Sequence, residues 1–370
     1  MKMKIGKIKI CFTRALPILL TIVLLSALYG CSADENIIGD TESSFADIIG
    51  AENEETVAES VETSDPDEII ICSEIVCDGS IELTMGDTIT LDVALYPTNV
   101  SDKRVYVSGG EEEIILHDGF DLTAKALGCE VITLHSLDGG AVKEIEVTVV
   151  PKGKSTLFDV PFIYQREKYP TGCEAVSTVM ALLNCGIEIT VDEFIDNYLP
   201  IAPYHYYKDG AFYGADPNKF FSGDPYTRQA YGCYIDAIIK ALENLKEKNL
   251  LLRDRFSYEK LNVSSLAECE KLMVSPLVIW ASSGMEVPHT IHHFRVIEYD
   301  EHNNMKETIT DRMLPWLEPQ HCLLLVGYDE EFYYFNDPQE NKFSAYPKDA
   351  CEAAFAAYGC QALGIYRVNE

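Results

Sequence analysis

Residues 32–68 set the first limit on what this chain can fold into, because they include many Asp and Glu residues but no Lys or Arg. The stretch also has few aromatic residues, so it cannot bury enough apolar surface to offset the entropy lost on ordering. Repulsion between its like charges keeps such a segment extended. We therefore predict an acidic disordered tether over residues 31–68, with folded structure only after it.

The residues before the tether have the pattern of an export signal. An apolar core at residues 15–25 follows a basic region whose charges come from Lys2, Lys4, Lys7, Lys9 and Arg14. The next segment, Leu28-Tyr29-Gly30-Cys31, resembles a lipobox, which implies lipidation of Cys31 and removal of residues 1–30 as a lipoprotein signal peptide. We therefore expect an extracytoplasmic protein that is lipid-anchored to the bacterial cell membrane.

Two alternatives remain for this N-terminal segment. One alternative is a retained transmembrane anchor, against which the apolar run argues because it is shorter than the roughly 20 residues that span a bilayer. A signal peptide cut without lipidation is the lesser alternative.

The charge of the whole chain excludes one class of partner. Asp and Glu outnumber Lys and Arg by 60 to 29, which gives a formal net charge of -31. Such a chain gains little from phosphate contacts, so we expect no nucleic acid partner. The length of 370 residues and the 47% of hydrophobic residues allow two or three domains with real cores.

Short segments between residues 69 and 151 alternate apolar and polar side chains, as strands with one buried face do. The clearest are residues 80–83, 88–93, 130–134 and 144–149, and they predict an all-β sandwich. Their spacing is similar to that of a bacterial immunoglobulin-like domain at Leu83, Gly86, Asp87, Thr88, Leu91, Pro97, Thr98, Asn99, Thr123, Ala124, Gly128, Val147, Thr148 and Val149. This resemblance implies a spacer or a carbohydrate-contacting module over residues 69–151.

The chemistry of the chain concentrates after residue 156, beginning at Cys173. Apolar residues follow it at helical spacing up to Leu183, and Gly186 supplies a stop, so Cys173 is predicted to begin a helix. A helix start favours the thiolate, and we therefore expect a lowered pKa for Cys173. The alternative is one more buried cysteine among the twelve in the chain.

Two later segments predict a strand hairpin that carries a base and an acid. A strand opens with His321, and a second strand closes with Asp337 before Pro338 prevents further pairing. An odd turn at residues 329–331 would pair Tyr328 with Phe332, and Leu323 would then lie opposite Asp337. His321 would share a sheet face with Asp337, within reach of an imidazole–carboxylate hydrogen bond. We expect this odd register or a bulge that has the same effect.

In combination, these motifs resemble the bacteriocin-processing, double-glycine-leader cysteine peptidases, and most of all their stand-alone secreted relatives. The motifs are Gln165, Tyr169-Pro170-Thr171-Gly172-Cys173-Glu174, His321-Cys322, Val326-Gly327-Tyr328 and Asn336-Asp337-Pro338. The resemblance implies a papain-like α+β peptidase domain over residues 156–370. The fold class is therefore multidomain, with an all-β immunoglobulin-like sandwich before the α+β domain.

The same resemblance implies a role for each matching residue. Cys173 would be the nucleophile, and His321 the general base and then the general acid. Asp337 would orient the imidazole, with Asn336 as a rival for that role. Gln165 would donate a hydrogen bond to the oxyanion. No cofactor is implied.

Two other features are candidates for a site. His289, His292 and His293 invite a metal interpretation, but no acidic ligand lies at a suitable spacing, so we predict a loop and no metal. The aromatic run at residues 198–234 is long for a connection without regular structure, and we expect it to pack with partial exposure to the substrate groove. Helices are predicted at residues 235–248 and 266–274, and strands at 277–281 and 294–299.

The leading function is hydrolysis of a peptide bond in an extracellular peptide or protein through a thioester acyl-enzyme. A peptidoglycan amidase or endopeptidase that contacts the cell wall is an alternative with the same site chemistry. A catalytically inactive adhesion or binding lipoprotein is the other alternative, against which the intact Cys, His and Asp set argues.

Overall fold

The computed structural model describes residues 69–110, 114–300 and 305–368. The predicted signal peptide, the lipidation site Cys31 and the acidic tether lie outside these residues. Within them, no helix is both long enough and apolar enough to cross a membrane.

The N-terminal β region, residues 69–151, contains strands where alternation predicted them. The strands are β1 (Glu74–Val76), β2 (Ser80–Thr84), β3 (Thr88–Thr90), β4 (Ala94–Tyr96), β5 (Val105–Gly109), β6 (Ile115–Asp118), β7 (Asp121–Ala124), β8 (Gly128–Ser136) and β9 (Val142–Val150). They form a four-stranded sheet in the order β2-β9-β8-β5, a three-stranded sheet β3-β7-β6 and the pair β1-β4. Leu122 of the smaller sheet and Ile132 and Ile145 of the larger sheet are fully buried in one apolar cluster.

The C-terminal region, residues 156–368, mixes helices with many strands. Its first elements are β10 (Thr156–Leu157), α1 (Cys173–Asn184), α2 (Val191–Asn197), β11 (Ile201–Ala202), β12 (Tyr206–Lys208), β13 (Ala211–Ala215), β14 (Phe221–Gly223), β15 (Ala230–Gly232) and α3 (Ile235–Lys248). There follow β16 (Phe256–Lys260), α4 (Leu266–Leu272), β17 (Leu277–Ser282), β18 (His289–Asp300), β19 (Lys306–Glu318), β20 (Gln320–Tyr328), β21 (Phe332–Asn336), β22 (Ser344–Pro347), α5 (Lys348–Ala357) and β23 (Ala362–Arg367). The described residues are therefore mostly β, with the helices of this region distributed among its strands.

The main sheet has the order β16-β23-β17-β20-β21-β22. Strand β10 also pairs with β20, at its last two residues, Gly327 and Tyr328. Alternate residues of β20 pack on its two sides. Cys322 and Leu324 belong to the apolar cluster that contains Val176 of α1, whereas Leu323 belongs to the cluster with Phe355 of α5. Because both faces are covered, residues 321–327 are all buried. This places the first residues of β20 in an environment from which water is largely excluded.

The aromatic run at residues 198–234 is built from short strands. It contains the five short strands β11 to β15, of which β11, β14 and β15 form a sheet of their own. The other two, β12 and β13, join the long hairpin of β18 and β19 in a four-stranded sheet. The run packs as expected, since the ring of His205 makes tilted contacts with Tyr231 and Phe294 and an edge-on contact with Trp316.

Asp329, in the turn after β20, ties Lys152, the residue that follows the N-terminal β region, to the main sheet. Its buried carboxylate accepts hydrogen bonds from the backbone N–H of Lys152 at 2.7 Å and from those of Glu331 and Phe332, each at 2.8 Å. The hydroxyl of Tyr334 donates to the same carboxylate. A single acidic side chain therefore accepts hydrogen bonds both from the segment that links the two regions and from the turn and strand that follow β20.

Replacing Asp329 with Ala should lower stability, because it removes the acceptor of the buried Tyr334 hydroxyl and of three partly buried backbone N–H groups. Unsatisfied buried donors cost about 1–3 kcal/mol each, so we expect a loss of about 3 kcal/mol or more in the free energy of unfolding, measured by urea titration. The exposed Asp254 offers a matched control, and Asp254→Ala should change stability by no more than about 0.5 kcal/mol. Equal urea midpoints for the two variants would contradict this role of Asp329.

Candidate active site

Helix α1 begins at Cys173, as the sequence predicts. Gly172 precedes it without a side-chain cap, and its N–H donates to the Tyr169 carbonyl at 2.9 Å, which closes a tight turn before the helix. The helix ends at Asn184, and Gly186 adopts φ +74°, the left-handed conformation that commonly ends helices. The Cys173 side chain is 6% exposed, so it lies at the edge of the interior rather than on an open surface.

His321 and Asp337 form a hydrogen bond inside the protein. His321 Nε2 lies 2.7 Å from Asp337 Oδ1, and the two side chains are 0% and 1% exposed. His321 is the second residue of β20, and Asp337 directly follows β21. The structure therefore brings together the base and the acid that the hairpin predicts.

The register of the hairpin is reached through a bulge. Tyr328 pairs with Tyr333 and not with Phe332. The predicted three-residue turn at residues 329–331 is therefore wrong, because four residues separate the paired positions. The register then shifts between Leu325 and Gly327, and Leu324 lies opposite Asn336. Carried one residue further, this places Leu323 opposite Asp337, as predicted. The bulge thus restores the shared face for His321 and Asp337.

Further groups around Asp337 favour its ionised form. Its Oδ2 accepts a hydrogen bond from the Tyr346 hydroxyl at 2.7 Å, and its Oδ1 accepts one from the Gln339 N–H at 2.9 Å. Burial by itself would raise the pKa of Asp337, but His321, Tyr346 and Gln339 together hold that pKa below its usual value. Sequence reasoning missed Tyr346, because only the pairing of β22 with β21 brings it to the site.

Asn336, the rival orienting residue, makes other contacts. Its Nδ2 donates to the Val160 carbonyl at 3.3 Å, and its Oδ1 accepts from the Phe343 N–H at 3.3 Å. Neither atom bonds His321, so this structure favours Asp337 over Asn336 for the orienting position.

Gln165 is buried between the loop before α1 and the loop after β21. Its backbone N–H donates to the Pro338 carbonyl at 2.9 Å, and its Nε2 donates weakly to the Pro170 carbonyl at 3.4 Å. Its Oε1 is buried and has no hydrogen-bond partner among the described residues. The amide is thus held near the predicted site, and its role toward an oxyanion stays a prediction.

The thiol of Cys173 forms no hydrogen bond with His321 in this structure. Its Sγ donates to Glu174 Oε2 at 3.3 Å, whereas His321 Nδ1 is buried and has no hydrogen-bond partner within the described ranges. Burial raises the pKa of the Cys173 thiol well above its usual value, and the negative charge of Glu174 acts in the same direction. A backbone hydrogen bond from Cys322 opposes this shift only in part. The expected lowering of the Cys173 pKa is therefore wrong for this conformation.

The histidines once considered as metal ligands lie on a strand and not on a loop, so that prediction is wrong. His289, His292 and His293 all belong to β18, with His292 half-buried beside Phe212. In the part of the chain that the structure describes, no group of three or more His, Cys, Asp or Glu side chains is arranged to hold a metal ion.

Comparison with solved structures finds similarity to a protein from Bacillus anthracis described as a C39-like peptidase. The identity is 22%, the alignment covers 59% of this chain and all of the other, and the TM-score is 0.44. A glycoside hydrolase from Bacteroides thetaiotaomicron aligns at 10% identity over 80% of this chain and 85% of its own, with a TM-score of 0.13. At these scores neither likeness carries an argument. No curated protein matches the sequence.

Comparison with models of protein families is more informative. Residues 157–363 match the model described as the Peptidase_C39 like family, which covers more than half of the chain. The match includes Gln165, Cys173, His321 and Asp337. This chain therefore belongs to the Peptidase_C39 like family, which supports its assignment as a hydrolase of the cysteine peptidase type.

Proposed function

We propose that the protein cleaves peptide bonds with Cys173 as nucleophile, His321 as base and Asp337 as the group that orients the base. The observation that carries this proposal is the buried hydrogen bond of 2.7 Å between His321 Nε2 and Asp337 Oδ1. Helix α1, which begins at Cys173, is joined to the strand that carries His321: Ser177 Oγ donates at 3.0 Å to the carbonyl of Cys322, the residue after His321. Nucleophile, base and orienting acid are the set that thiol acyl transfer needs.

The hydrogen bond to Asp337 assigns the two nitrogens of His321. An ionised Asp337 accepts a proton-bearing Nε2, so the neutral imidazole keeps its lone pair on Nδ1. That nitrogen has no competing partner among the described residues. His321 is therefore set up to take a proton at Nδ1.

In the first half of the reaction, Nδ1 takes the proton of the Cys173 thiol and Sγ attacks the carbonyl carbon of the substrate. Gln165 Nε2 would stabilise the resulting oxyanion by donating a hydrogen bond. Collapse of the tetrahedral intermediate breaks the C–N bond, and the amine leaves with the proton from Nδ1. A thioester on Cys173 remains.

In the second half, Nδ1 takes a proton from water, and the hydroxide so formed attacks the thioester. The C–S bond breaks, the acid product leaves, and the sulfur regains its proton from the imidazolium. No cofactor is needed for this cycle.

We also propose that the enzyme acts outside the cell, lipid-anchored through Cys31 and held away from the membrane by residues 31–68. Residues 69–151 would be an immunoglobulin-like spacer, and residues 156–370 a papain-like α+β domain. The alternating burial of β8 and β9 and the packing of α1 on the main sheet support these assignments. Stem peptides of the cell wall are a second substrate class that the same chemistry would cleave.

Removing the base should abolish cleavage. We expect His321→Ala to lower kcat/KM by at least about 1,000-fold, because proton transfer and nucleophile activation are lost together. The measurement uses fluorogenic peptides chosen from a library, with purified cell wall as the competing substrate. Cys185→Ala removes a buried thiol at the other end of α1 and should retain activity. Full activity of His321→Ala would refute the proposed site.

Replacing the orienting acid should have a smaller effect. Asp337→Asn keeps the shape of the side chain but disturbs the orientation of the imidazole, so we expect a loss in kcat smaller than that of His321→Ala in a protein that still folds. The measurement is kcat at saturating peptide, with folding checked by circular dichroism. A variant as active as wild type would reassign the orienting role.

The anchoring proposal predicts the fate of a Cys31 variant. Cys31→Ser should accumulate as unprocessed precursor, and only wild-type protein should partition with membranes into the detergent phase. Cys11→Ser, within the predicted signal, is the matched control and should be processed normally. If Cys31→Ser matures as wild type does, lipidation at this residue is ruled out.

A further inference from the structure

Glu174 is a buried acid next to the proposed nucleophile, and the reaction above gives it no role. Its side chain is fully buried. Its Oε2 accepts a hydrogen bond from the Cys173 thiol at 3.3 Å. Its Oε1 accepts hydrogen bonds from the Cys233 N–H at 2.8 Å and from Gln320 Nε2 at 3.0 Å. A single carboxyl group therefore joins α1, the segment before α3 and the start of β20.

The surrounding backbone is shaped to receive this carboxyl group. Gly232 has φ +82°, and a Cβ atom there would lie 2.3 Å from Glu174 Oε1. Only glycine at this position leaves room for the acid in its observed place. The carbonyl of Glu174 is also bound, since Thr178 Oγ1 donates to it at 2.6 Å. Both ends of the residue are thus held in one arrangement.

Among the described residues around the thiol there are two carboxylic acids, Glu174 and Asp337, and one group that can become a cation. Burial raises the pKa of Glu174 above its usual value, although the donors at its Oε1 favour the ionised form. The other titratable groups that face Cys173 or Glu174 are His321, Cys322, Cys233, Tyr234, Asp337 and Tyr358. Of these only His321 can become positive, and Asp337 already occupies its Nε2. In its ionised form, a carboxyl group 3.3 Å from the sulfur opposes the thiolate, and none of these neighbouring groups supplies a second cation to offset it.

We infer that Glu174 is a positioning residue that holds Cys173 as a thiol in the resting enzyme, hydrogen-bonded to the carboxylate instead of the imidazole. This inference rests on the proposed function of Cys173. Catalysis then begins when the sulfur leaves Glu174 Oε2 for the unpartnered Nδ1 of His321. The thiol proton passes to that nitrogen, which forms one thiolate and one imidazolium and changes no other group.

The competing explanation gives Glu174 a structural task alone, as the acceptor that ties the Cys233 backbone and Gln320 to α1. Glu174→Gln separates the two explanations. The glutamine keeps the size of the side chain and an acceptor oxygen for both donors, but it removes the negative charge beside the sulfur. A structural role would survive this change, whereas the control of the thiol would not.

The test is the pH dependence of Cys173 alkylation by iodoacetamide, followed by mass spectrometry of the peptide that contains Cys173. In the full-length wild type we expect a midpoint above the value of about 8.5 for a free thiol. Glu174→Gln should lower the midpoint by about one pH unit and raise the rate at neutral pH about tenfold, since one unit is a factor of ten. Glu188→Gln, on the exposed loop after α1, makes the same change in net charge and should leave the midpoint unchanged.

An unchanged midpoint in folded Glu174→Gln would overturn the inference, as would a wild-type midpoint below that of a free thiol. Folding is checked by Cys233 and Cys322, which are fully buried and should stay unmodified. If Glu174→Gln does not fold, Glu174→Asp takes its place. It keeps the charge but shortens the side chain by one methylene, so the midpoint should fall by less than one unit, and no fall would overturn the inference.

The alkylation readout needs no substrate, so it separates this inference from the proposed function. If the inference fails while peptide cleavage still depends on His321, only the role of Glu174 is lost. If no peptide is cleaved although the midpoint shifts, the control of the thiol stands and the substrate class is wrong.

Discussion

The hydrogen bond between His321 and Asp337 lies where water has almost no access, and this burial shapes the rest of the site. Removing an imidazole and a carboxylate from water is costly unless their remaining polar atoms find partners. Tyr346 and the N–H of Gln339 supply those partners for Asp337. The loop after β21 and the strand β22 are therefore needed for the pair to exist, and the bulge in β20 is needed for its geometry.

Burial of Cys173 outweighs the effect that a helix start has on the pKa of its thiol. A charge at the start of a helix gains about 0.3–1 kcal/mol from the helix dipole. Full burial shifts a pKa by up to about 3–5 units, and each unit corresponds to about 1.4 kcal/mol. Desolvation therefore outweighs the dipole at Cys173, and the carboxyl group of Glu174 adds to it. In the proposed reaction, Cys173 therefore has to change its hydrogen bonding before its sulfur can attack.

The regular parts of the fold were predictable from local pattern. Helix α3 has the bounds that apolar spacing indicates, and β2, β8 and β9 follow from alternation. The five short strands between α2 and α3 were not predictable, because strands of two to five residues carry too few alternations to be recognised. Strands β12 and β13 form because β13 pairs with β18, which lies about eighty residues later in the chain, whereas β11, β14 and β15 pair with one another. His292 belongs to β18 because it pairs with Trp316 of β19.

The sequence by itself determined the groups from which a site would be built: a cysteine at a helix start, and a histidine and a carboxylate at the ends of adjacent strands. Local spacing decides these features, since they depend on residues close in the chain. Only the tertiary structure decided that a bulge aligns His321 with Asp337, that the Tyr346 hydroxyl donates to Asp337, and that Glu174 accepts a hydrogen bond from the Cys173 thiol. Each depends on strand register or on burial by distant segments, and no local pattern records which donors will meet a carboxylate in the interior.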